Sequence, residues 1–220
     1  MNRFCTVLYA GMLIAPAAQA ANVGVDDSSA PWLGFVNVFE LDNTFLWGSP
    51  WGVPDLVANF DDGAPSVTMS PNTIGDPDPY WYQGGGGPGA PGNKLMEANL
   101  YQEETGTMNG ETVTFSGFVL SNTFTPAHDA KIFIRDFAAD YSSVVEVFID
   151  ANEGAFSFSL DTIADAGRHV QWGFQVKGVN VWVTDTDPFG NAVFSSIPTP
   201  ASIALLGLGG VVATRRRRFR

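Results

Sequence analysis

The chain has 220 residues, 45% of them hydrophobic, and a formal net charge of −12. All twenty-three Asp and Glu residues lie between Asp26 and Asp187, where only five basic residues oppose them, so this part carries a formal charge of −18. Such an acidic surface repels phosphate backbones, which argues against nucleic acid as a partner.

The first twenty residues have the pattern of a secretory signal peptide. A basic start at residues 1–3 precedes a mostly apolar stretch at 4–18, and Ala18-Gln19-Ala20 supplies a small-x-small cleavage site before Ala21. We expect this signal helix to engage the export machinery and to be cut by signal peptidase; the alternative is an uncleaved anchor. Cys5, the only cysteine, lies inside this segment. The exported chain would then have no disulfide, thiolate metal site or cysteine nucleophile.

Residues 21–196 suffice for one domain, and their hydrophobic period is two rather than 3.6. Phe156, Phe158 and Leu160, for example, alternate without interruption onto one face. Many strands with turns between them and no helical crossovers predict an all-β fold, an antiparallel β-sandwich of the jelly-roll type. Short helical turns are an alternative near 55–58 and 95–103. Strands are predicted within 32–41, 45–47, 66–69, 111–120, 131–136, 144–149, 155–160, 168–176 and 180–184.

A glycine- and proline-rich loop at 70–93 interrupts the strands. Flexible linkers rarely contain a run such as Tyr80-Trp81-Tyr82. The composition favours an ordered loop packed by its own aromatic rings near a binding surface; the alternative is an irregular crossover.

The best geometric clue lies near the end of this domain. In the strand at 168–176, alternation places Trp172 and Phe174 in the core and His169, Gln171 and Gln175 on the opposite, polar face. In the next predicted strand, Trp182 points away from the flanking valines, so we expect it beside those polar groups. The alternative is that this face is covered and Trp182 belongs to the core.

An aromatic ring among amides and an imidazole suits sugar recognition, because the ring stacks on the C–H face of a pyranose while the polar groups bind its hydroxyls. Residues 167–182 also resemble strands of jelly-roll carbohydrate-binding modules. That resemblance implies an extracellular polysaccharide as partner, with a ligand face formed by Trp182, Gln171 and Gln175 and an adjoining loop that carries Trp81 and Tyr82.

Three short acidic segments are candidates for calcium, since each places oxygen ligands close together. None completes a recognised loop, and the alternative is that Asp and Asn cap nearby turns. No motif requires a cofactor. The candidate ligands are Asp76 and Asp78, Asp150 and Asn152, and Asp185 and Asp187.

Catalytic motifs are lacking: the sequence contains no nucleophile elbow, phosphate loop or dinucleotide fingerprint. Glu146 and Asp150 would share a strand face, but their Cα atoms would lie some 13 Å apart at about 3.3 Å per residue. The sequence therefore favours a non-catalytic surface or matrix protein. The alternative is an extracellular glycan-active enzyme on a jelly-roll scaffold, with two carboxylates supplied by different strands.

The last segment, 197–220, consists of a proline-rich spacer, an apolar stretch at 201–213 that forms a short predicted helix, and an arginine cluster. It resembles the PEP-CTERM sorting signal, in which exosortase, a membrane protease, processes the tail. Pro198-Thr199-Pro200 has threonine where the family usually has glutamate, while Arg215, Arg216, Arg217 and Arg218 fit the basic end. The resemblance implies an exported protein of the cell envelope or extracellular matrix that is transiently anchored in the inner membrane.

Overall fold

The computed structural model describes residues 20–196, within which the chain forms twelve strands and two short 3-10 turns. The predicted signal peptide, apart from Ala20, and the predicted sorting tail lie outside the described residues. The strands are β1 Ala20–Val23, β2 Leu33–Phe39, β3 Phe45–Trp51, β4 Ala58–Asp61, β5 Ser66–Met69, β6 Leu95–Thr105, β7 Thr112–Asn122, β8 His128–Phe137, β9 Val144–Asp150, β10 Gly154–Asp161, β11 His169–Val179 and β12 Ala192–Ser195.

The strands form two six-stranded sheets, which confirms the all-β prediction and the two-sheet arrangement. Sheet 1 has the order β1-β7-β12-β5-β4, with β10 also paired to β7. Sheet 2 has the order β3-β2-β6-β11-β8-β9. Pairing is antiparallel except between β1 and β7, which run parallel, so sheet 1 is mixed.

The core lies between the two sheets and is dominated by aromatic rings. Phe174 of β11 stacks on Phe194 of β12 with ring centroids 4.0 Å apart, and Phe115 of β7 lies 5.8 Å from Phe174. All three side chains are fully buried. Burying a phenylalanine stabilises the fold by roughly 1.5–3 kcal/mol, so this stack is a major link between the sheets.

The alternative of a helical turn at 95–103 is wrong, because these residues form most of β6, an interior strand of sheet 2. Met96, Ala98 and Leu100 are buried in the core, while the residues between them face outward. The period is two, but it is weak in the sequence, because Leu95 and Tyr101 occupy outer positions and Gln102 occupies an inner one. The turn near 55–58 is present as a 3-10 turn at Val53–Leu56.

The predicted strand at 180–184 is also wrong, because β11 ends at Val179 and only Val181 makes an isolated bridge, to Thr73. The buried Asn180 side chain redirects the chain here. Its Oδ1 accepts hydrogen bonds from the main-chain N–H groups of Asn93 (3.1 Å) and Lys94 (3.0 Å), and its Nδ2 donates to the Trp81 carbonyl at 2.9 Å. Residues 70–93 are thereby fastened to the end of the sheet.

None of the helices among residues 20–196 has the length and apolar character that crossing a membrane requires.

Candidate functional site: a cleft across the outer face of sheet 2

The outer face of sheet 2 is polar in composition, yet several of its polar side chains have little solvent exposure. Gln171 and Gln175 are only 5% and 6% exposed, although both point away from the core that Trp172 and Phe174 fill. The register sets Gln171 between Glu103 of β6 and Arg135 of β8. The sequence-predicted polar face of β11 is therefore part of a recessed surface.

A cleft of about 650 Å³ crosses this face. Its wall residues come from all six strands, which places its ends roughly 24 Å apart at about 4.8 Å per strand spacing. Amides, carboxylates and a guanidinium alternate with aromatic rings, a composition typical of sugar sites. The lining residues are Phe35, Asn37, Pro50, Glu97, Asn99, Tyr101, Arg135, Phe137, Tyr141, Glu146 and Gln171.

Asn99 is the hydrogen-bond centre of the cleft floor and is 1% exposed. Its Oδ1 accepts hydrogen bonds from Arg135 Nη1 and Gln175 Nε2, each at 3.0 Å. Its Nδ2 donates to the main-chain carbonyls of Phe35 (3.3 Å) and Glu97 (3.2 Å). One amide therefore ties together β2, β6, β11 and β8, and fixes the polar floor before any ligand arrives.

The guanidinium of Arg135 lies over two aromatic rings. Its guanidinium carbon is 4.1 Å from the centroid of Phe133 and 5.0 Å from that of Phe148, and Nε donates to Glu146 at 3.1 Å. Burial lowers the pKa of Arg135, and the neighbouring carboxylates of Glu146 and Glu97 oppose that shift. The guanidinium remains charged because the ordinary arginine pKa is above 12.

Glu103 of β6 organises a second group of polar contacts beside the cleft. Gln171 Nε2 donates to it at 2.7 Å, the Tyr141 hydroxyl lies 3.2 Å from both of its oxygens, and His169 Nδ1 is 3.3 Å away. Burial and the adjacent Glu103 charge raise the pKa of Tyr141 to about 12, and burial also raises the pKa of Tyr101. Both phenols therefore stay protonated near neutral pH.

Most residues of this site were not predicted from the sequence. The three that were, Gln171, Gln175 and His169, lie on one face of β11 as predicted. Their partners on β6 went unrecognised, although alternation through residues 95–105 carried the signal. The missed groups are Phe35, Asn99, Tyr101, Glu103, Arg135 and Tyr141.

The aromatic candidates of the loop lie elsewhere. Tyr82 is fully buried, and its hydroxyl lies within hydrogen-bonding distance of the carbonyls of Ile74 and Val181. Trp182 packs edge-on against Tyr82 with centroids 5.5 Å apart and does not line the cleft. Trp81 is half-buried, and its ring meets Trp47 edge-on at 6.1 Å. Within the loop, Tyr80 and Trp81 pack edge-on with centroids 4.8 Å apart, while Trp81 and Tyr82 also pack on tryptophans outside it.

The residues of the three calcium candidates take part in hydrogen bonds, an ion pair and a 3-10 turn within the protein. Asp76 and Asp78 accept from main-chain N–H groups two residues onward, and Asp185 accepts from Gly89 N at 2.6 Å. Asp150 lies 3.6 Å from Lys131, while Asn152 N donates to the Asp150 carbonyl; Asp187 opens a 3-10 turn. Within residues 20–196 no three His, Cys, Asp or Glu side chains gather to hold a metal ion. Calcium binding stays a prediction from sequence.

Comparison with known proteins yields little. No protein-family model matches the chain, and no curated protein matches it. A solved structure titled "CBM4 structure and function" aligns with 79% of this chain and 90% of that chain, with 14% identity and a TM-score of 0.32. A likeness this distant says nothing about what the present protein binds.

Proposed function

We propose that residues 21–196 form a non-catalytic polysaccharide-binding domain whose ligand lies in the sheet 2 cleft. The observation that carries this is a preformed, open cleft in which hydrogen-bonding side chains alternate with aromatic rings across six strands. A cleft that extends across six strands accommodates a stretch of a linear chain. The repeated passage of the chain between the two sheets supports a jelly-roll topology as part of the same proposal.

Charge favours an uncharged polysaccharide. Glu97 and Glu146 line the cleft with a single guanidinium, that of Arg135, which already bonds to Glu146 and Asn99, and Lys177 is paired with Glu97 at 3.6 Å. Glu103 adds a further carboxylate beneath Tyr141 and Gln171. A polyanionic chain would meet repulsion from these groups and from an acidic body. A neutral glycan would instead exchange its water hydrogen bonds for those of the cleft.

The test is a binding panel with the full chain. Mixed-linkage β-glucan, xylan and hydroxyethyl cellulose represent neutral polymers, and alginate and polygalacturonate represent polyanions. We expect retardation in affinity electrophoresis by at least one neutral polymer, weaker retardation by the polyanions, and no release of reducing ends. Failure to bind any neutral polymer contradicts the proposal. Release of reducing ends would favour the alternative, a glycan-active enzyme.

We further propose that the protein is exported and sorted to the cell envelope or matrix through its PEP-CTERM-like tail, with signal peptidase and an exosortase-like protease as partners. The support is the order of signal peptide, acidic domain, Pro-Thr-Pro spacer, apolar stretch and arginine cluster in the sequence. Mass spectrometry of cell fractions tests this: we expect new chain ends near residues 21 and 197–214 in exported material. An intact Arg220 on cytoplasmic protein would contradict it.

A further inference from the structure

Tyr141, in the connection between β8 and β9, has an unusual backbone at the rim of the cleft. Its φ of 58° lies in the left-handed region, which a bulky residue rarely adopts. Hydrogen bonds close the connection around it: Tyr141 N donates to the Ala138 carbonyl at 2.8 Å, and Ala138 N donates to the Ser143 carbonyl at 2.9 Å. The turn is ordered, and a glycine or asparagine would fit its conformation with less strain.

The side chain of Tyr141 is also held. Its ring lies over the His169 imidazole with centroids 4.3 Å apart and planes 15° from parallel. The centroid of the Phe137 ring lies 5.5 Å from that of Tyr141. The hydroxyl is within 3.2 Å of both Glu103 oxygens. His169 is fixed in turn, because Nδ1 is 2.8 Å from Thr105 Oγ1 and Nε2 is 3.3 Å from the Ala139 carbonyl.

Despite these contacts, Tyr141 remains 51% exposed and lines the cleft. His169 covers one ring face. Strained backbone that persists only because its surroundings hold it is characteristic of functional positions. An aromatic face held rigid and exposed in a cleft offers a ligand apolar contact at little entropic cost.

We propose that Tyr141 is the stacking platform for one sugar ring of the bound polysaccharide. This assignment rests on the proposed function and specifies which residue supplies the aromatic face. The C–H face of a pyranose would lie on the open side of the tyrosine ring, opposite His169. The phenol hydroxyl, engaged by Glu103, sets the orientation of the ring and does not itself bind the sugar.

Matched variants distinguish the loss of the aromatic ring of Tyr141 from a disturbance of the turn that carries it. Tyr141→Asn removes the ring but introduces a residue that tolerates the left-handed backbone. Tyr141→Leu keeps apolar bulk without an aromatic face. Tyr141→Phe keeps the ring and removes the hydroxyl. Tyr80→Ala is the control, because Tyr80 is also exposed (39%) but lies outside the cleft lining.

The experiment titrates the full chain, wild type and variants, with a neutral oligosaccharide cut from the polymer that wild type binds, and follows the proton NMR signals of the sugar. We expect Tyr141→Asn and Tyr141→Leu to bind at least tenfold more weakly and to lose the upfield ring-current shift of the sugar C–H protons. Tyr141→Phe should retain that shift and lie within about threefold of wild type, as should Tyr80→Ala.

The possible failures are distinguishable. Wild-type affinity and an unchanged ring-current shift in Tyr141→Asn would overturn the platform while leaving the cleft as the binding site. Absence of binding by wild type to every neutral polymer would overturn the proposed function, and the platform with it. Circular dichroism of each variant verifies that the fold is intact.

Discussion

Arg168→Ala should lower the free energy of unfolding by about 3–5 kcal/mol, because it leaves a buried carboxylate without its countercharge. Asp136 at the end of β8 is 0% exposed and Arg168 is 4% exposed. Arg168 Nε donates to Asp136 Oδ1 at 2.7 Å and Nη2 donates to the Asp136 carbonyl at 2.8 Å. Ile163 N donates to Oδ2 at 2.8 Å, so the pair joins the β10–β11 connection to β8.

Urea denaturation measures this effect, with Lys131→Ala as the control. Lys131 lies 3.5 Å from Asp129 and 3.6 Å from Asp150, but its side chain is 37% exposed and its partners are more exposed still. Surface pairs of this kind contribute at most about 1 kcal/mol. Equal losses in the two variants would contradict the assignment of the Arg168 pair as a buried, stabilising link.

Asn99→Leu is expected to abolish polysaccharide binding and to destabilise the domain. The substitution preserves the branching and the number of side-chain heavy atoms but removes the acceptor that Arg135 and Gln175 share at 3.0 Å. Each donor left unpaired in a recessed site costs about 1–3 kcal/mol, and the released side chains lose the arrangement that precedes ligand binding.

Asn99→Asp is the matched variant, since a carboxylate oxygen at the same position still accepts from both donors. It loses the donor hydrogen bonds to the carbonyls of Phe35 and Glu97 and sets a carboxylate oxygen against them, a repulsion that the charge of Arg135 offsets in part. We expect it to retain more affinity and more stability than Asn99→Leu, as measured by calorimetric titration and thermal unfolding. The reverse order would show that the acceptor role of Asn99 is not what organises the cleft.

The sequence predicted the parts of the fold in which alternation was clean. Along β11 the split between Trp172 and Phe174 on one face and Gln171 and Gln175 on the other could be read from the period of two alone, and the structure confirms it. That success follows from chemistry: β-strands place successive side chains on opposite faces, and here those side chains differ sharply in polarity.

The cleft itself could not be predicted from local sequence patterns. Asn99 on β6 and Arg135 on β8 are thirty-six residues apart in sequence. Their side chains meet across the outer face of β11, which pairs with both strands. Pairing order among distant strands is set by the whole sandwich, so a single strand cannot reveal its neighbours. Trp182 shows the opposite error: its valine-rich surroundings favoured a strand, but β11 ends at Val179.

The most direct measurement of the central claim is an NMR map of amide shifts in the isotope-labelled full chain as a neutral oligosaccharide is added. Binding in the cleft predicts that the largest changes fall on outward-facing positions of β6, β8 and β11, with Asn99, Arg135 and Gln171 among them. The hydroxyl-rich outer face of sheet 1, where Thr114 lies 2.8 Å from Ser159, should be unaffected. Saturable changes confined to sheet 1 or to loop 70–93 would contradict the account.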